Sequence, residues 1–348
     1  MFEGISTSDW HFEALANHFP QDHIQRQLET IDRIYNYAVE HGIKHVIIPG
    51  DITDKYTMAD TTKELLLQHF RKYEGIIESW YCGGNHDWAD NTQTSMDLIK
   101  RFCDWDFLKS LHIFLRPKQV EIDGVIVNFL PFPARKSIKH KKPCLNFCHT
   151  EAIGALGDNG RPLRTKKDLK VDERDFTISG HIHLYQYLEA KRFLYNGSPY
   201  QKTFGEGLPK GFIHFKAEYV KKKLVVKHKF VDSKPGFRFE TVMITDQKQW
   251  SQLDVNAAIR YRVYVKDSIT IPGDIRTRVP NIAQLYATNK KIDINNVDTI
   301  DVSEQQVSDI DPTDGLRSFL KESGIKKHMR DRAMKEIAKI RSELGTAS

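Results

Sequence analysis

Five short segments concentrate side chains that bind metals or move protons. They are Ser8-Asp9-Trp10-His11, Gly50-Asp51, Gly83-Gly84-Asn85-His86-Asp87, the single His149, and Gly180-His181-Ile182-His183. Residues two apart at a strand end project to the same side, so Asp9 and His11 can converge on one point. Carboxylates, imidazoles and one amide make an oxygen-and-nitrogen donor set suited to Mn, Fe or Zn rather than Ca. A Gly-Asp pair alone carries no such meaning, and the chain contains its own control. Ile48-Pro49-Gly50-Asp51-Ile52 recurs as Ile271-Pro272-Gly273-Asp274-Ile275, with no Asn-His-Asp after the second copy, so Asp274 reads as a turn residue. The signal is the set of five in order.

The second to fifth segments each follow a run that reads as a strand: Val46-Ile48, Trp80-Cys82, Leu145-Cys148 and Thr177-Ser179. Between the runs lie helical patterns. Ile24, Leu28, Ile31, Ile34, Tyr35 and Ala38 recur at helical spacing and stop at His41-Gly42, and a second helix is predicted over about 58–73. Val120-Leu130 reads as a further strand, and Gly211-Phe215 with Leu224-Phe230 as a hairpin turning at Lys221-Lys222-Lys223. The fold class predicted is α/β, a layered sheet domain over 1–245 with helices outside. Ligand sites in such sheets lie outside the carboxyl ends of strands, where these segments fall. A small α/β cap domain is predicted over 246–300, with a strand at Arg260-Val265, a helix at Ile282-Ala287 and a strand at Ile292-Ile294. An acidic linker (301–314) and a helical tail (315–348) complete the chain. In the tail Ile325, Met329, Ala333, Ile337 and Ile340 form a one-sided apolar stripe.

The 348 residues are 40% hydrophobic and 28% charged, an ordinary globular composition. No run approaches a membrane span, and no signal sequence opens the chain, so a cytoplasmic location without membrane contact is predicted. Four cysteines without a CxxC pair read as reduced core thiols. The net charge of +6 is unevenly spread. Arg135, Lys136, Lys139, Lys141 and Lys142 form one basic cluster, and Arg164, Lys166 and Lys167 belong to a second. Such clusters are either solvated loops or surfaces for a polyanion.

The five segments resemble the calcineurin-like metallophosphoesterase superfamily, whose pattern is D-x-H, G-D, G-N-H-D/E, H and G-H-x-H. Tyr195-Asn196-Gly197-Ser198-Pro199, Phe204-Gly205-Glu206 and Lys210-Gly211-Phe212 narrow the resemblance to the Mre11/SbcD nucleases, including phage recombination endonuclease subunits. Asn196 stands where these usually have Pro, and His11-Phe12-Glu13 replaces a common H-L-G. The resemblance implies one metal on Asp9, His11, Asp51 and His183, and a second on Asp51, Asn85, His149 and His181. Asp51 would bridge two divalent ions, most simply Mn, with Mg, Fe or Zn as alternatives. It also implies that His86 binds no metal and assists the leaving oxygen, with Asp87 orienting it. The implied activity is exo- and endonucleolytic cleavage of DNA by a homodimer. Its partner would be a Rad50/SbcC-like ATPase bound through the tail stripe. A phosphoesterase for a small nucleotide or phosphoprotein, and a non-catalytic DNA-binding scaffold, are the rival readings.

Overall fold

The computed structural model describes residues 1–90, 93–165, 168–287 and 290–292. Its first part alternates as the apolar spacing requires: β1 (Phe2–Ser6), α1 (His23–Glu40), β2 (His45–Pro49), α2 (Asp60–Lys72), β3 (Glu78–Cys82), α3 (Asp97–Asp104) and β4 (Leu111–Phe114). Then come β5 (Lys118–Ile122), β6 (Val125–Leu130), β7 (Leu145–His149), β8 (Phe176–Gly180), β9 (Gln186–Leu188), β10 (Phe193–Tyr195), β11 (Gly211–Val220) and β12 (Lys223–Asp232). The last part holds β13 (Arg238–Ile244), β14 (Ile259–Val265), the one-turn helix α4 (Ile275–Arg278), β15 (Ile282–Ala287) and β16 (Lys290–Ile292). No helix among the described residues is long and apolar enough to cross a membrane.

Two six-stranded sheets carry the site, ordered β12-β11-β1-β2-β3-β4 and β5-β6-β7-β8-β10-β9. β1 to β4 run parallel, as do β6, β7, β8 and β10. The strands of β2 show why the layers form. Ile47 faces the second sheet and packs in a core with Phe2, Phe129, Phe147, Ile178 and Phe215. Val46 and Ile48 face the other way, against Leu28, Ile31, Ile34 and Tyr35 of α1 and Leu66 of α2. A strand covered on both faces reads as a continuous apolar run, which is what His45–Pro49 shows. The architecture is therefore mixed α/β with layered sheets.

Three expectations are revised. Val120–Leu130 is not one strand: Asp123-Gly124, both at positive φ, turn it into the antiparallel pair β5–β6. Ile282–Ala287 is a strand rather than a helix; its six residues pair in parallel with β14, and Ile282, Leu285 and Ala287 are buried. The smaller sheet, β13-β14-β15-β16, also takes its first strand from upstream of residue 246. The change in character at Asp246 is a capped turn, in which Asp246 accepts from the Lys248 amide, and it follows that first strand. Phe239 of β13 packs with the helix-side core, and Arg260 lies over the Phe19 ring, so this sheet docks beside the loop after β1. The segments expected as an acidic linker and a helical tail lie outside the described residues, as do Ile325, Met329, Ala333, Ile337 and Ile340.

Candidate metal centre

The carboxyl ends of β1, β2, β3, β7 and β8 lie side by side, and the five sequence segments sit on them. The loops meet closely because glycines leave room. A Cβ on Gly84 would lie 2.1 Å from Asp51 Oδ1, and one on Gly50 would lie 2.2 Å from His149 Nδ1. Asp9, His11, Asp51 and His181 all have positive φ (58°, 41°, 53° and 85°). Non-glycine residues in this region cost roughly 1–3 kcal/mol each and persist only where the surroundings hold them. Here the strain turns four side chains inward.

Asp9, His11, Asp51 and His183 come together on one side. His11 Nε2 lies 3.1 Å from His183 Nε2 and 3.6 Å from Asp51 Oδ2, and His183 Nε2 lies 3.8 Å from Asp9 Oδ1. Asp51, Asn85, His149 and His181 meet on the other. His149 Nε2 is 3.1 Å from Asp51 Oδ2 and 3.0 Å from Asn85 Oδ1, and His181 Nδ1 is 2.9 Å from that amide oxygen. Asp51 Oδ2 thus faces both halves. The His149 Nδ1 lies 2.9 Å from the Pro49 carbonyl; donating there leaves Nε2 as the lone-pair nitrogen.

The electrostatics match a cation site. Asp9, His11, Asp51 and His149 are at most 2% exposed. Burial and the facing His183 push His11 down to about 4, although Asp54 and Asp51 oppose this. Burial would lower His149 too, but the Asp51 carboxylate outweighs it and lifts the ring to about 9. Burial would raise Asp51, and His149 and His11 instead hold it well below the usual carboxylate range. Two buried imidazole nitrogens facing each other at 3.1 Å need a cation or a shared proton between them. The donors fit divalent metals of the Mn, Fe, Zn or Mg kind: the clusters contain only imidazole, carboxylate and amide groups, and no cysteine. Buried Cys148 keeps its thiol pushed up to about 12.

His86 stands at the mouth. Its amide donates to Asp51 Oδ1 (2.9 Å), its Nδ1 meets the Asp54 carbonyl (2.7 Å), and its ring packs edge-on against His11 at 4.7 Å. The orienting role expected of Asp87 is therefore filled by Asp54. The Asp87 carboxylate is fully buried and accepts from the amides of Asp51, Thr53 and Gly84, so it staples the second loop to the third.

Asp158 was not singled out in the sequence, and the part played by the 195–212 block was not read from it. Glu206 Oε1 and Asp158 Oδ2 lie 3.2 and 3.4 Å from His183 Nδ1, on the side away from His11. Lys210 Nζ donates to Glu206 (2.6 Å), Ser198 Oγ (2.9 Å) and the His183 carbonyl (3.1 Å). Burial would raise Glu206, but His183 and Lys210 hold it well below the carboxylate range. Asn196 donates to Ser8 Oγ (3.1 Å), whose hydroxyl donates to Asp9. The 195–212 block is thus the bracing of Asp9 and His183, with Asn196 taking a direct part. Glu13, at positive φ, leaves the ligands alone and accepts from the Ala59 amide and Thr62 hydroxyl at the start of α2. Asp274 sits before α4, paired with Arg278 and far from the strand ends.

The basic clusters divide. Arg135 and Arg164 line a cavity of about 500 Å³ that also touches Asn85, Thr150, Glu151 and His181. Lys136, Lys139, Lys141 and Lys142 are exposed outside it. The segment after β6 must run the length of the sheet to start the parallel strand β7, so Lys142 ends over the Tyr219 ring, at the opposite end. Lys166 and Lys167 lie outside the described residues.

Parallel strands ending in a buried His/Asp/Asn cluster centred on Asp51 are the frame of a metal-dependent phosphoesterase. The model of the calcineurin-like phosphoesterase superfamily domain matches residues 5–217, and the chain belongs to that superfamily. No curated protein matches the chain.

Metals bound here would supply a nucleophile at neutral pH and neutralise charge on the phosphoryl oxygens. The chain supplies the rest. Asp51, His149 and Asn85 fix one face, and His11, Asp9 and His183 the other. His86 stands at the mouth of the centre with its ring held by the Asp54 carbonyl through Nδ1.

Proposed function

We propose that this phosphoesterase is a DNA phosphodiesterase of the Mre11/SbcD kind, dependent on manganese and both exo- and endonucleolytic. It works as a homodimer with a Rad50/SbcC-like ATPase in recombination, repair or phage DNA metabolism. The observation that supports a nucleic-acid substrate is the cavity beside His181 and Asn85, where Arg135 and Arg164 stand ready for phosphates flanking the one cleaved. The bracing of His183 by Glu206 and Lys210 agrees, because it gives a function to the sequence block shared with these nucleases. For the second copy, exposed Trp105 and Phe107 flank Phe102 at the end of α3 as an apolar patch.

The test is manganese-dependent cleavage of labelled linear duplex DNA, compared with a chromogenic phosphodiester and with a phosphorylated peptide. Duplex cleavage abolished by chelation is the expected result. Turnover of the peptide alone would sink the proposal.

A further inference from the structure

A second cavity, of about 530 Å³, opens on the other side of Asn85. Its lining includes Trp88, Leu115, Pro131 and Phe132 together with Arg116, so it is largely apolar where its neighbour is basic. Asn85 and Phe132 line both cavities. Each wall is tied to a strand end. Phe132 donates its amide to the Gly83 carbonyl (2.9 Å). Gly83 lets the indole close in, for a Cβ there would lie 3.0 Å from Trp88 Nε1. The cavity's volume falls in the range typical of small-molecule sites, roughly 300–1,000 Å³.

A phosphodiester has two ester arms. Were its phosphorus to sit at the Asn85 end of the metal centre, one arm would reach the cavity of Arg135 and Arg164 and the other would cross Phe132 into the aromatic one. We propose that the Trp88–Phe132 cavity holds the base of the nucleotide attached to the cleaved bond, stacked on these rings, with Arg116 toward its polar edge. The proposal rests on the phosphodiesterase reading above and adds where the substrate's base is held. Aromatic stacking tolerates all four bases, which suits an enzyme that takes DNA of any sequence.

The full-length, manganese-loaded protein is assayed on thymidine p-nitrophenyl phosphate and methyl p-nitrophenyl phosphate, diesters with one leaving group that differ in the base. The ratio of their kcat/KM values reads the pocket. Trp88→Ala and Phe132→Ala should each lower that ratio by roughly 5- to 150-fold, the range for losing one stacked base. Trp88→Phe, which keeps a ring, should retain most of it. An unchanged ratio in both alanine variants would overturn the pocket and leave the phosphodiesterase reading standing. Turnover of neither diester by the parent would overturn both. If the alanine variants fail to fold, tryptophan fluorescence decides: quenching by thymidine monophosphate in the parent should vanish in Trp88→Phe. Quenching that persists there would overturn the proposal.

Discussion

Replacing Asp51 by asparagine removes a negative charge whose Oδ2 faces His11 and His149 and whose Oδ1 holds the His86 amide. We expect Asp51→Asn to lose activity and to bind less metal at both halves, measured as metal per chain after dialysis; two tightly held ions with normal turnover would refute the bridge. His86 is different: its ring lies beside His11 and Asp54 rather than between the two halves that meet at Asp51, and the resemblance gives it no metal. His86→Ala should keep its metal content and lose roughly 10²–10⁴-fold in rate, the usual value of a positioned proton donor. Loss of one ion would instead make His86 a ligand. These residues were legible in the sequence because each one ends a recognisable strand run. Asp54, Asp158 and Glu206 were not. They reach the imidazoles from loops far along the chain, and only the Phe204-Gly205-Glu206 motif carried a sign of it.

Two braces operate at the level of elements. Lys210 and Glu206 are both buried and neutralise each other behind His183. Lys210→Met leaves the buried Glu206 carboxylate with His183 as its remaining partner and removes the charge that balances it, so it should destabilise the fold by up to about 3–5 kcal/mol. The double change with Glu206→Gln should recover part of that in urea unfolding. Recovery of nothing would mean that the pair is not the source of the loss. The second brace joins α1 to α2. Asp32 lies 2.8 Å from His69 Nδ1 and 2.7 Å from Lys72 Nζ. Burial would raise it, but these partners hold it at about 2 against an ordinary 3.8. A depressed acid stabilises the fold above its ordinary value, and the benefit fades as pH falls from about 4 to about 2. With a third of the side chain exposed, Asp32→Asn should cost about 1–2 kcal/mol near neutrality. The gap from the parent should narrow in acid; a gap independent of pH would assign the loss to packing. The helix pattern of α1 was plain from its spacing. The strand β15 was not, since six apolar-rich residues suit either period and only the pairing with β14 decides.

At the scale of the whole molecule, charge and closure matter. Arg135 and Arg164 stand at the site, while Lys142 lies at the opposite end of the sheet. Converting both arginines to alanine should flatten the log–log salt dependence of duplex binding by about 0.9 per lost phosphate contact. Lys142→Ala should leave it unchanged. Equal effects from both would mean a diffuse field rather than a docking cavity. On the proposed reading, deleting 315–348 should spare metal-dependent cleavage of short substrates, because the expected ligands all precede Leu184, and abolish binding to a Rad50/SbcC-like ATPase. Loss of folding on that deletion would make the tail part of the core.

The central strand β1 pairs on one edge with β2 and on the other with β11, where Ser6 lies opposite Ile213 and Phe2 opposite Ala217. β1 therefore waits for a strand made some two hundred residues later. At roughly 5–20 residues per second, a ribosome takes about 10–40 s to cover that distance. Throughout that time one edge of β1 has no native partner. Glu206 and Lys210, which brace His183, emerge just before β11. The nascent chain can assemble its metal-holding end and close its first sheet only in the same late stage of synthesis.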